Sequence, residues 1–251
     1  MLACWKTVPY LIPDMQLSPS RVCAALLFTF LPLNAQQARA PLPPDVVVQA
    51  QEVQQLMQTQ KYAEAMDKLD SLEARHPDRP ELINIRGSLY MTSALRDLAK
   101  AEECFDLALK LAPGEFPLLF NKAEILFVKH DWPAAALAFQ KLLDDNPKLP
   151  LIYRHMVLFK KLVCEVKQDR LAEAEKILNA HFTFMDDTPA FYFSKAAIAF
   201  QKKDVPGAED WIKRANGIFK PAESSTYTDS LMEARWIANI SLPEAGKKDS
   251  N

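Results

Sequence analysis

An alanine recurs through this 251-residue chain at Ala65, Ala101, Ala135, Ala174 and Ala208, with spacings of 36, 34, 39 and 34 residues. A chain that repeats at this period folds as stacked copies of one small unit, because a single copy cannot hide its own apolar face. Around each alanine the same pattern fills in. Four residues on stand Leu69, Phe105, Phe139, Leu178 and Ile212; seven on stand Leu72, Ala108, Leu142 and Ala215, with His181 the exception. Positions i, i+4 and i+7 share one face of a helix, so each unit buries a stripe. Two stretches align directly, Lys129-His130-Asp131-Trp132-Pro133-Ala134-Ala135 and Lys202-Lys203-Asp204-Val205-Pro206-Gly207-Ala208. Each offers an Asp to cap a helix and a Pro in its first turn. Pro77, Pro113, Pro147 and Pro221 read as loop prolines after four of the five units. A partner helix precedes each alanine, with Gly87, Ala123 and Ala196 where two axes must close up. Tyr62 and Trp132 supply bulk at the turn between the helices.

Composition agrees with helices. Only five glycines occur, and 49% of the residues are apolar, enough for a continuous core. The formal net charge is −2, and it stays negative without Lys6, Arg21, Arg39 and Asp14 of the first forty residues. That excludes a sequence-independent nucleic-acid binder, which needs a basic face.

On these residues the chain resembles the tetratricopeptide-repeat (TPR) proteins over about 46–221. The resemblance implies an all-α fold: a right-handed superhelical solenoid of about five TPR helix pairs with a C-terminal capping helix. Repeats two, three and five fit best. Repeat one, with a first helix over 47–58, has Val53 where a small residue is usual. Repeat four is about five residues too long, and its first helix is expected over 151–166. The span 222–242 holds the capping helix, expected over 226–238, with Ser230 and Glu233 as a capping-box pair that would start it late. Residues 41–45 read as an extended linker and 243–251 as a disordered tail.

The first forty residues read as a signal peptide. Arg21 precedes an apolar run from Val22 to Leu33, and Ala38-Arg39-Ala40 follows. The run is too short to span a bilayer. Pro41 is a poor residue to follow a cut, so cleavage after Ala35 or Ala38 is the other possibility, and Met15 is a possible true start. Export to the periplasm or beyond the cell is therefore expected, with a bacterial source suspected. Cys4 and Cys23 fall in this leader, leaving Cys104 and Cys164 as two buried, inert thiols in different repeats. The triplet Asn239-Ile240-Ser241 matches a glycosylation acceptor that chance alone supplies.

No catalytic, cofactor-binding or metal-binding residue is expected. His76, His130, His155 and His181 share no metal-ligand spacing, and no nucleophile elbow or phosphate loop occurs. In TPR proteins the first helix of each pair lines a concave groove where partners dock. Carrying that register along the chain gives Asn84, Ser88 and Met91, then Phe120, Asn121, Glu124 and Phe127. Next come Arg154, Leu158 and Lys161, and lastly Phe193, Ala197 and Phe200. The phenylalanines allow two readings: an apolar groove for an extended or helical segment, or core filled by a neighbouring or capping helix. The resemblance implies a non-catalytic scaffold that binds a protein or peptide partner. A chaperone-like holder of an apolar client segment, or an accessory subunit of an envelope enzyme complex, are the alternatives. The subtype that clamps a C-terminal carboxylate of cytosolic chaperones is not expected, since its run of lysines and an arginine is missing and the leader points to export.

Overall fold

A computed structural model describes residues 40–237. The signal peptide up to Arg39, the Met15 start, the 239–241 triplet, the end of the 222–242 capping segment and the tail lie outside the described residues. Among the described residues the secondary structure is helical throughout. Five antiparallel pairs follow one another: α1 (Pro44–Gln58) with α2 (Tyr62–Arg75), α3 (Pro80–Met91) with α4 (Leu98–Leu111), and α5 (Phe116–Val128) with α6 (Trp132–Asp145). Then come α7 (Leu151–Lys167) with α8 (Leu171–His181), α9 (Ala190–Gln201) with α10 (Val205–Ile218), and the single α11 (Pro221–Glu233). The result is an all-α solenoid.

The repeated alanines are the contact points of this stack. Ala65, Ala101, Ala135, Ala174 and Ala208 are each wholly buried on the second helix of a pair. The closest approach is at Gly87: a Cβ there would lie 2.4 Å from the Phe105 ring. Asp97, Asp131 and Asp204 cap the second helices of repeats two, three and five, accepting from Lys100, Ala134 and Gly207 backbone N–H at 3.1, 3.2 and 3.0 Å. Each cap satisfies one of the orphan donors at a helix start.

The first helices end in a common turn. Gln60, Arg96, His130, Asp169, Lys203 and Arg235 all take left-handed φ, between 44° and 63°. In repeats one, three, four and five the very next residue reaches back to the helix, as in Asp131 N to Leu126 O at 2.9 Å and Asp204 N to Ala199 O at 3.0 Å. Trp236 N to Leu231 O, 3.1 Å, closes the same turn at the end of α11. So α11 is built as a sixth first helix.

Two helix starts and one helix end differ from the sequence reading, the end being that of α11, which stops at Glu233 and not at 238. α1 starts at Pro44, inside the expected 41–45 linker, because a proline at the first helical position loses no hydrogen bond there. α11 starts at Pro221 and not at 226, for the same reason. The Glu223 carboxylate accepts the Lys220 N–H at 2.7 Å, and Ser230 and Glu233 form no capping box. α7 is the longest helix at 17 residues. Its last turn aligns with that of α5, so the insertion of repeat four lies at its N-terminal end.

Candidate functional site

The inner faces of α5, α7 and α9 form an aromatic trough, and α11 lies in it. Tyr227 fits between Phe159 and Phe193, with ring centroids 5.0 and 5.5 Å away. Trp236 stacks on Phe200 at 6.1 Å and 10°. Leu231 and Ala234 are buried between these anchors. Successive residues of α11 meet later and later residues of α7 (Tyr227 at Phe159, Ser230 at Lys160, Ala234 at Lys167), so the two helices run in the same direction.

Charge organises the rest. Lys160 is buried at 3% exposure, with its Nζ 2.8 Å from the Glu124 carboxylate. It donates to Ser230 Oγ at 3.0 Å and stands 4.7 Å from the centroid of the Phe127 ring. Burial pushes the Glu124 carboxyl up, while the Lys160 ammonium opposes that shift. At the far end of α11, both Glu233 oxygens are held in an Arg96 fork at 2.8 and 2.9 Å. His130 stacks on Trp132 at 4.9 Å, and its Nε2 lies 2.9 Å from the Glu233 carbonyl oxygen, so that ring nitrogen carries a proton. Burial lowers the His130 pKa. Lys167 donates to the Ala234 carbonyl at 3.0 Å from between the Trp132 and Trp236 rings, 5.8 and 5.0 Å away. The Lys167 ammonium meets the negative end of the α11 dipole, and with the His130 N–H it clamps α11 where its carbonyls are free. Two hydroxyls in this region, Ser194 Oγ on α9 and Ser224 Oγ on α11, are buried without a protein hydrogen-bond partner.

Residues 93–150 match the family model described as tetratricopeptide repeat. Three solved structures share the fold. One is a tetratricopeptide repeat protein from Parabacteroides merdae, 16% identical, with TM-score 0.57 over 74% of this chain and 71% of that one. The second is PilW, described as a widely conserved type IV pilus biogenesis factor, 18% identical, with TM-score 0.57 over 78% and 90%. The third is PilF of Pseudomonas aeruginosa, 12% identical, with TM-score 0.55 over 76% and 88%. No curated protein matches the sequence. Residues 93–150 thus carry a tetratricopeptide repeat, and the described chain has the fold of tetratricopeptide-repeat proteins.

In this TPR fold the residues expected to line an open groove are distributed otherwise. Asn84 and Asn121 turn to each other: Asn121 Nδ2 donates to Asn84 Oδ1 at 2.7 Å, and both side chains are buried between α3 and α5. Phe120 packs on Phe116 and Phe139, and Phe127 on Trp132 and Phe139. Phe193 and Phe200 lie beneath α11, as does Glu124 with its Lys160 partner. Of the two readings of the phenylalanines, the chain as it stands shows core. Ser88, Met91 and Ala197 are buried as well.

Repeat four is a correction. Arg154 sits in the first turn of α7 and donates to the Pro147 carbonyl, away from the trough; Lys161 is half-buried and Leu158 packs in the core. The trough residues are Phe159, Lys160 and Val163, five positions further on for Phe159 and Val163. A constant period of 34 places Arg154 and Leu158 under Phe120 and Glu124. The interval of 39 between Ala135 and Ala174 already held the correction, once the insertion is placed ahead of α7. Arg96, His130 and Lys167 were missed for a different reason: they sit in turns or at a helix end, and only a folded-back α11 gives them a shared target.

Burial raises the thiol pKa of both cysteines, that of half-buried Cys104 to about 11; Cys104 and Cys164 are free. Among the described residues no three His, Cys, Asp or Glu side chains gather as a metal site, and no helix is long and apolar enough to cross a membrane.

Proposed function

We propose that this protein is a non-catalytic scaffold that binds a segment of another protein through its concave face and works in the bacterial envelope. The observation that carries the reading is the aromatic trough, whose Phe159, Phe193 and Phe200 rings hold the chain's own α11 segment. Export is supported by the leader pattern of Arg21, an apolar run and Ala38-Arg39-Ala40. Two of the structures that share the fold are described as a type IV pilus biogenesis factor and as PilF, which makes envelope assembly the process to test first. Asn84, Phe120, Asn121, Glu124, Phe127, Phe193 and Phe200 belong to this face or lie directly beneath it; Arg154 does not.

The test is affinity capture of the tagged full chain from an envelope fraction, in parallel with the folded variants Phe193→Ala and Phe200→Ala. Several envelope proteins captured by the wild type and lost from the variants would support the scaffold. One stoichiometric client would favour the chaperone-like holder instead. Equal capture by wild type and variants would remove the concave face from the reading, and N-terminal sequencing that finds Met1 intact would remove export.

A further inference from the structure

The face assigned to a partner is already filled by α11, and α11 is poorly suited to stay there. Of its thirteen residues, five are Ser or Thr (Ser224, Ser225, Thr226, Thr228 and Ser230), joined by Asp229 and Tyr227. These are weak helix formers, so the helix depends on the surface beneath it. The Ser224 hydroxyl of α11 and the Ser194 hydroxyl of α9 are buried without protein partners, and an unmet buried hydroxyl costs stability. The link to α10 is two extended residues, Phe219 and Lys220 (ψ 147° and 152°), which can swing without unfolding either helix.

We propose that α11 is a removable occupant of the trough, and that the partner is an amphipathic helix of another protein that takes its place. The inference rests on the concave face being the binding surface and deepens it. The side chains that α11 presents define the partner. An aromatic residue enters between Phe159 and Phe193, and a leucine follows four positions on, as Leu231 follows Tyr227. An acidic residue six positions on meets Arg96, as Glu233 does, and a second aromatic nine positions on stacks on Phe200. The C-terminal carbonyls of that helix face His130 and Lys167. A basic or strongly acidic helix fits badly, because the trough holds a neutralised pair, Lys160 with Glu124, and a single Arg96 fork.

Two measurements test this without a partner in hand. In native-state hydrogen exchange of the full chain, α11 amides exchange at least about tenfold faster than those of α7 and α9, because α11 opens alone. Exchange at the same rate as α7 and α9 would overturn the proposal. The second uses a labelled synthetic peptide of residues 221–237 as the probe. It binds the full-length Glu233→Ala/Trp236→Ala chain about tenfold more tightly than wild type, since both changes weaken the competing α11 and leave the trough intact. Equal binding would overturn displacement; a concentration-dependent dimer that exchanges α11 would replace the foreign helix by a second copy of this chain. Because hydrogen exchange reads opening alone, it can succeed while envelope capture fails, and the two ideas stay separable.

Discussion

Gly87 shows how one residue sets the spacing of two helices. The Phe105 ring lies where its Cβ would be, so Gly87→Ala must push α3 from α4 or drive the ring off its rotamer. Such overpacking costs about 1–3 kcal/mol, read as a lower urea midpoint at unchanged slope. Lys160 is the opposite kind of residue, a buried charge whose charged partner is Glu124. Lys160→Met leaves Glu124 uncompensated, and the expected loss is about 3 kcal/mol. The double variant Lys160→Met/Glu124→Leu should recover most of it; a double variant as unstable as the single one would show that the pair is not the cause. Gly87 was legible in the sequence because a small residue at the crossing is part of the repeat. Lys160 was not, because its position depends on where the insertion of repeat four lies.

The turns that end the first helices are the weakest part of each element. Lys203 holds a left-handed φ of 63° at a position where glycine bears no Cβ penalty. Lys203→Gly should therefore raise stability by about 0.5–1 kcal/mol in urea titration, and a loss would mean that the lysine stem supports the turn. His130 and Arg96 take the same backbone shape but also hold α11, so glycine there would trade turn strain against the clamp. The start of α11 illustrates what a proline can hide. Pro221 follows repeat five as the other loop prolines follow theirs, yet here it opens a helix, because Glu223 caps the Lys220 N–H two residues later. A proline at a boundary announces the boundary and not its direction.

Across the whole molecule, acid acts through three partly desolvated histidines, of which only His155 is fully buried while His130 is half-buried and His181 exposed. Burial depresses the pKa of His130, His155 and His181. From their ordinary value of 6.5 down to the lowered values, the unfolded chain binds more protons than the folded one, so stability falls as pH falls through that window. Glu124, raised by burial, acts with the opposite sign in its own window above 4.5. A difference measurement separates them. His155 accepts or donates at Thr188 Oγ1, 2.8 Å away, beneath Phe182 and with Asp186 and His181 nearby. Between pH 7.5 and 5.5 the His155→Gln chain should lose less stability than wild type in parallel urea titrations; equal losses would place the acid sensitivity elsewhere. The solenoid spreads such effects along its length, because each repeat touches mainly its neighbours. α11 is the exception, tying repeats two, three, four and five together through Arg96, His130, Lys167 and Phe200.

The sequence alone determined the repeating unit. Alanine spacing, capping aspartates and small crossing residues are local requirements of two packed helices, and every copy must meet them within about 34 residues. It also indicated which side chains face inward in repeats two, three and five. Only the tertiary structure decided what covers that inner face. The position of α11 depends on contacts between residues as far apart as Arg96 and Glu233, and no local pattern records those. A last helix with Tyr227, Leu231 and Ala234 on one side could have stacked on α10 as another layer. In the trough that side is buried, and that packing exists only once five repeats offer a common face.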